Sequence, residues 1–482
     1  MTAPLQSLFV FFTCIVGLGF AAAIFKEKNP LFKFAVALPF GLSMIGLSVV
    51  LMVAFNLDVT TLSILIAGLF LVFASFYIFW KYEIQNSHSY KKSSWLTIMV
   101  TVFLTLYALE QLSFSTLSFD SVKQVLYSQA LAHHGEVLPE FSDVFASWGS
   151  ILISYQTAAT LLSIEFLYIL PAAIYLSFLV LFYQSLPPIG LSHHFEKKVV
   201  VTLLSFGSFF VLWQFFYLHN NFPTALLLFV SLLTAQRVVD HIEWPQAAGF
   251  LIIALGFCFS RTETSIFAAL FIGAIFSQQR ANRFRAWLIT ILAIVITGWY
   301  MKLLGMIGGG TDILTPTRIP VVTGPMVLLA LFQWARLQST SVDRKAHLFP
   351  LVALVGASLI TLILAFLKPD HMIKSMQSLV RNYSLFWGYG WYLLVPLLIL
   401  SLKLQEKRAI VLAILCYFIA MIGLSYFRPP FRIGWGDSGN RISLNFYILG
   451  WYCVAHNLSA IQQLAIDFLN RKNWLMTSKS SL

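Results

Sequence analysis

The sequence predicts an all-α fold: a polytopic transmembrane helical bundle of about fifteen spans, with a short amphipathic helical region in an outer loop after the fourth span. Three observations predict it. Of 482 residues, 59% are hydrophobic and 10% charged, whereas soluble domains run near a quarter charged. Apolar runs approaching the ~20 residues of a spanning helix recur along the whole chain. Period-two alternation, which a β-barrel requires, is not seen, and helices are the elements that satisfy their own backbone groups in lipid.

Taken in order, the predicted spans run over 4–25, 33–56, 60–80 and 95–116. Next come 163–185, 199–218, 222–236, 246–260, 263–279 and 286–305, those between 222 and 279 being short. The last are 324–337, 348–367, 384–402, 409–427 and 442–461. A polar seam, KYEIQNSHSYKKSS at 81–94, separates an N-terminal three-span group (1–94) from a larger bundle (95–467) with its outer loop at 117–162. A cytoplasmic tail, 468–482, follows. The first segment has no basic leader and no small-residue cleavage site, so no cleavable signal peptide is expected.

The net charge is +12 and the pI near 9.5. In a polytopic protein this reads as Lys and Arg gathered in cytoplasmic loops, not as a nucleic-acid surface. One alternating set of loops carries Lys26, Lys28 and Lys33; Lys81, Lys91 and Lys92; Lys197 and Lys198; Arg280, Arg283 and Arg285; Arg336, Arg344 and Lys345; and Lys403, Lys407 and Arg408, with Arg471, Lys472 and Lys479 in the tail. These place the N-terminus outside and the C-terminus in the cytoplasm of an inner (plasma) membrane protein. Cys14, Cys258, Cys416 and Cys453 lie in or beside apolar runs without CxxC spacing, which supports neither a disulfide framework nor a zinc site.

The other loops face out: 117–162, SRTETS at 260–265, 308–320, 368–384 and FRPPFRIGWGDSGNR at 427–441. They keep Arg261, Lys368, Arg381, Arg428, Arg432 and Arg441 on the unfavoured side, which invites a role in binding an anion. Asp120 lies about one turn beyond the fourth span, with Tyr127 and Ala130 near its helical face at +7 and +10. FASWGSILISYQTAATLL at 145–162 is too polar to span and suits an amphipathic helix on the interface, with Trp148 and Tyr155 at that depth. Glu110 should face the bundle interior, since a carboxylate facing lipid is costly.

A span ending in Asp120, then Tyr127, Ala130, Gly135 and a short segment with an aromatic residue, resembles the first outer loop of the GT-C membrane glycosyltransferases, which include protein O-mannosyltransferases and lipid A aminoarabinose transferases. GFCFSRTETSIFAALF at 256–271 is similar to that superfamily's R-x-E corner, and GDSGNRISLNFYILGWY at 436–452 to its late RY-x-L-P segment. The likeness covers roughly 95–460. Ser121 stands where many relatives carry a second acid, and Arg441-Ile442 where Arg-Tyr is common.

The resemblance implies transfer of a sugar from a polyprenyl-phosphate donor to an acceptor hydroxyl outside the cytoplasm, the acceptor being a glycan, lipid or protein. Asp120 would then be the general base. Arg428, Arg432 and Arg441, with Arg261 second, would grip the leaving phosphate. Tyr127, Glu263 and Asp437 complete the expected substrate-binding set, and Glu140 or Asp143 could stand in for the missing second acid.

Each residue also has a plainer reading. Asp120 suits a helix end in water; Arg428 and Arg432 suit the flank of a span; Arg261 and Glu263 suit an ion pair closing a corner; Asp437 suits a helix cap. His133 and His134 are adjacent and point apart, so no metal site is assigned, although a divalent cation is compatible with the acids of the loop. GGG at 308–310 lacks a phosphate-loop context. Two other functions compete: an O-antigen-type ligase or polymerase, whose large outer loop usually comes late in the chain, and a transporter or flippase, which would place charges at the midplane.

Overall fold

The computed structural model describes residues 4–84, 92–112, 119–147, 149–187, 194–217, 220–238, 243–306, 315–338, 349–388, 390–402, 404, 407–427, 430–434 and 438–479. They form α1 (Leu5–Ile24), α2 (Pro30–Ala54), α3 (Thr61–Phe79, continued by a π turn, Trp80–Ile84), α4 (Lys92–Leu112), α5 (Phe119–His134), α6 (Pro139–Ser147) and α7 (Ser150–Leu161). Next are α8 (Leu170–Ser185), α9 (His194–Phe206), α10 (Phe209–Trp213), α11 (Asn221–Arg237), α12 (Trp244–Cys258), α13 (Thr264–Ser277), α14 (Arg283–Met306) and α15 (Ile319–Gln338). The last are α16 (Phe349–Leu367), α17 (Pro369–Phe386), α18 (Gly390–Ser401), α19 (Arg408–Leu424) and α20 (Ser438–Lys479). No β-strand occurs among the described residues. Among the described residues, seven helices, α1 to α4 and α14 to α16, are long and apolar enough to cross a bilayer.

Local chemistry explains the ends of these helices. Asn29 caps α2, its Oδ1 accepting from Phe32 N at 2.9 Å, with Pro30 preset for the first turn. Thr60 and Ser63 form a reciprocal capping box at α3. Pro4, at the start of α1, has no capping side chain. Glu110 of α4 supplies one instead, as its carboxylate accepts from Gln6 N at 3.2 Å and Ser7 N at 2.9 Å. It is 8% exposed and so faces the interior, as expected.

The chain divides into two compact units, Met1–Leu181 with Trp213–Phe349, and Phe182–Leu212 with Pro350–Leu482. In the first, α1 is the hub. A Cβ at Gly17 would sit 2.0 Å from Ala37 O, and one at Gly41 1.8 Å from Thr13 O, so α1 and α2 meet backbone to backbone. On another side, Ser75 of α3 accepts from Gly19 N at 2.9 Å and donates to Ile15 O at 2.8 Å. The short helices α11, α12 and α13 are largely buried within this unit.

Two cations that the sequence places in cytoplasmic loops do structural work here. Arg285 and Arg336 are each 3% exposed. Arg285 Nε donates to Val238 O, the carbonyl just beyond α11, at 3.1 Å. Arg336 donates to Phe276 O and Gln279 O, at 2.9 and 2.7 Å, around the end of α13. Guanidinium groups at helix C-termini satisfy orphan carbonyls and complement the helix dipole.

Several expectations are corrected. The stretch 145–162 is not one interfacial helix, because α6 ends at Ser147 and α7 starts at Ser150. Residues 150–159 of α7 are all buried, and Tyr155 is 0% exposed, 2.8 Å from the Thr13 hydroxyl. Its polar groups are used inside the bundle: Gln156 Nε2 donates to Ile164 O and Glu165 O, and its Oε1 accepts from Leu167 N. The expected loop at 368–384 is α17, begun by Pro369 at its first position, with Met372, Ser375, Leu379 and Tyr383 on its buried face. The expected span 199–218 is α9 and the short α10, and 384–402 is divided between the end of α17 and α18.

Candidate functional site

In the first unit, the stretch expected as an outer loop contains α5, α6 and α7. Ser121, Gln124, Ser128 and Leu131 are buried at helical spacing and form the packed face of α5. Ser128 Oγ donates to Ile153 O at 3.1 Å, and Thr157 Oγ1 to Ser128 O at 3.4 Å, so small hydroxyl residues knit α5 to α7. Asp120 is the second residue of α5.

Tyr127 is half-buried, its ring edge-on to Phe141 at 5.1 Å, and burial raises its phenol pKa. Glu140 is exposed in the first turn of α6, and Asp143 falls near the middle of that helix. His133 and His134 are exposed. Among the described residues, no three His, Cys, Asp or Glu converge in a way that could hold a metal ion.

The start of α7 is pinned to the Arg261 corner. Gly149 has φ +100°, and a Cβ there would sit 1.9 Å from Ser260 O, so only glycine allows this approach. Ile151 N donates to Phe259 O at 3.3 Å, and Trp299 Nε1 to Ser150 Oγ at 3.2 Å. The structure thus brings together two segments the sequence singles out, the stretch at 145–162 and the corner at Arg261.

At that corner, Arg261 Nε donates to Glu263 Oε1 at 2.7 Å, each side chain being 12% exposed. Arg261 Nη1 donates to Asn221 Oδ1 at 3.1 Å. The Tyr300 hydroxyl donates to Arg261 O at 3.5 Å and Thr262 O at 3.4 Å. The ion-pair reading of Arg261 and Glu263 is therefore correct, and the pair also fixes the plane of the guanidinium. A cation held this way can meet an anion with little reorganisation. Asn221, Tyr300 and Gly149 are not among the residues singled out from sequence; they are remote along the chain and carry no motif.

The second unit holds Arg432 and Arg441. Arg432 is exposed, and Arg441 is half-buried in the first turn of α20. Arg428 and Asp437 lie outside the described residues. The backbone around Arg432 is held by amides and a hydroxyl: Asn382 Nδ2 donates to Arg432 O at 2.8 Å, its Oδ1 accepts from Gly434 N at 3.0 Å, and Ser375 Oγ accepts from Phe431 N at 3.2 Å. Asn440 Nδ2 donates to Gly434 O at 2.9 Å and its Oδ1 accepts from Trp387 Nε1 at 2.9 Å. Sequence reasoning missed these asparagines, whose role appears only once α17 is recognised as a helix.

Lys368 lies 4.5 Å from the Tyr426 ring and His371 Nε2 is 2.7 Å from Ser425 O, so both are engaged within their own unit. No family model matches this chain, and no curated protein or solved structure matches it.

Proposed function

We propose that this protein is an integral membrane glycosyltransferase of the GT-C kind, with about fifteen spans, its N-terminus outside and its C-terminus in the cytoplasm. It moves a sugar from a polyprenyl-phosphate donor to an acceptor hydroxyl on the extracytoplasmic face. The acceptor oxygen attacks the anomeric carbon as its proton passes to the Asp120 carboxylate. The bond from that carbon to the phosphate oxygen breaks, and the electron pair leaves with the polyprenyl phosphate. Arg261 stabilises the growing phosphate charge, oriented by Glu263 and Asn221. Arg428, Arg432 and Arg441 are assigned the same task from their positions in the sequence.

The observation that carries this reading is the anchoring of the α5–α7 segment, which bears Asp120, on the Arg261 corner through Gly149 and Ser260. The test is transfer activity with a polyprenyl-phosphate sugar in reconstituted vesicles. Asp120→Asn should abolish transfer while the protein still inserts and melts normally, and full activity in that variant eliminates the mechanism. Arg261→Ala should lower kcat by about 10²–10³, the scale of losing one oriented charge-stabilising group. Glu263→Gln should lower it less, because the guanidinium is retained and only its orientation loosens.

A further inference from the structure

Helix α17 has 18 residues, about 27 Å of length, yet it carries Asp370, His371, Lys374, Arg381 and Asn382. Charges are costly in hydrocarbon, so α17 is not a span by itself. It shows three faces. Met372, Ser375, Leu379, Asn382 and Tyr383 are buried against the protein. Ile373, Met376 and Val380, spaced by three and four, share a second face and are 52%, 50% and 61% exposed. Lys374 and Arg381 mark the third. They are exposed, seven residues apart on one line, and take part in no ion pair among the described residues. An apolar stripe bordered by cations is the pattern of a helix lying in a membrane interface.

The next helix fixes the attitude of this one. α18 is apolar and exposes Leu393, Val395 and Ile399. It is bent by 115° from α17 at the break between them. With α18 entering the hydrocarbon, α17 runs along the bilayer surface. Ile373, Met376 and Val380 then meet the same acyl chains as α18, and Lys374 and Arg381 stand at the level of the headgroups. An anionic lipid surface satisfies both faces at once.

The buried face of α17 links that surface to a segment carrying one of the candidate arginines. His371 Nε2 is 2.7 Å from Ser425 O, and Ser375 Oγ accepts from Phe431 N at 3.2 Å. Asn382 donates to Arg432 O at 2.8 Å and accepts from Gly434 N at 3.0 Å. From His371 to Asn382 is eleven residues, about 16 Å of one helix, so residues 430–434 are held by a single rigid element. We propose that α17 is an in-plane membrane helix that binds anionic phospholipid through Lys374 and Arg381, and that its seating orders the Arg432 segment. This stands independently of the sugar-transfer reading.

The test uses the full chain in nanodiscs. The four native cysteines are buried, so single cysteines introduced as Ile373→Cys or Val380→Cys take a nitroxide label selectively. Both labels should collide with oxygen far more than with a water-soluble nickel chelate, and at equal depth. A depth difference near 10 Å, the rise over seven residues, would mean a span and overturn the proposal. So would shielding from both reagents, which means a protein cover, or free access to the chelate, which means water. Hydrogen exchange of the peptide containing residues 431–434 reads the coupling. It should be about five-fold slower in nanodiscs containing phosphatidylglycerol than in phosphatidylcholine alone, the scale of one cation at an anionic surface. The Lys374→Gln/Arg381→Gln variant should exchange equally in both. Equal exchange in the wild-type chain, or a lipid effect kept by the double variant, would overturn the anionic-lipid site. If that variant does not fold, the depth measurement and the wild-type exchange decide. No readout involves sugar transfer, so failure here leaves the proposed reaction standing, and an active Asp120→Asn protein leaves α17 on the membrane.

Discussion

The Glu110 carboxylate accepts a hydrogen bond from the Ser7 backbone N–H at 2.9 Å, so the first turn of α1 is capped by a residue about a hundred positions away. It also accepts from Gln6 N and from the Ser7 hydroxyl. Two orphan donors of the helix are met by one anion placed where the dipole favours it. Glu110→Ala should destabilise the protein by about 2–3 kcal/mol, the range for losing buried charge-assisted hydrogen bonds. Glu110→Gln, which keeps an acceptor, should lose about half as much. Equal melting of Ala variant and wild type in detergent would disprove the cap.

Lys33 and Glu83 form a buried ion pair at 2.5 Å, their side chains 1% and 4% exposed. Lys33 Nζ also donates to Lys26 O at 3.0 Å, and Glu83 stands on the π turn that ends α3. Removing one partner strands the other charge in an apolar setting. Lys33→Met alone should destabilise by about 3–5 kcal/mol, while the Lys33→Met/Glu83→Leu double variant should recover most of that. A double-mutant cycle on thermal unfolding reads the coupling, and strictly additive losses would show that the pair is not coupled.

Gly149→Ala should be among the most damaging single-methyl changes in the chain. It adds a Cβ at φ +100°, 1.9 Å from Ser260 O, and neither backbone can yield without moving α7. The expected outcome is a loss of several kcal/mol or failure to accumulate in the membrane. Gly298→Ala on α14 has nothing within 4 Å and should be neutral or gain up to about 1 kcal/mol from helix propensity. Similar melting points for the two variants would contradict the close approach.

Glu243, just before α12, has its carboxyl pKa held below the ordinary 4.5, first by the hydrogen bond from Tyr82 and then by Lys26, whose Nζ is 3.2 Å away. A depressed carboxylate pKa stabilises the folded state above the unfolded value and ceases to do so as pH falls through the folded one. Both groups of the ion pair are more than a third exposed, so the effect should stay under about 1 kcal/mol. Tyr82→Phe combined with Lys26→Met should lower the melting temperature slightly at pH 7 and not at pH 3. A gap that persists at pH 3 would rule out this ionisation as its source.

Much of the local structure was legible in advance. The apolar runs at 4–25, 33–56, 60–80 and 95–116 are α1 to α4, and the inward position of Glu110 follows from the cost of a charge in lipid. The Arg261–Glu263 pair was foreseeable because its partners are two residues apart. Asn221 and Tyr300, which complete that corner, were not, since nothing local distinguishes an asparagine at a helix start or a tyrosine inside a helix from others of their kind.

What the sequence by itself determined is the class of element: segments that leave water must be helical, and they recur from end to end of this chain. Only the tertiary structure decided which of them lie inside. The apolar stretches of α1 and α16 have nearly equal mean hydropathy, 2.3 and 2.5, yet 78% of the first is buried and 6% of the second. Hydropathy measures departure from water, and a lipid tail and a protein interior are almost the same destination on that scale. The serines, Tyr155 and Gln156 of α7 mislead for the complementary reason. A hydroxyl or amide is expensive to bury only if unpartnered, and the partners Thr13, Ile164, Glu165 and Leu167 are supplied by other parts of the fold.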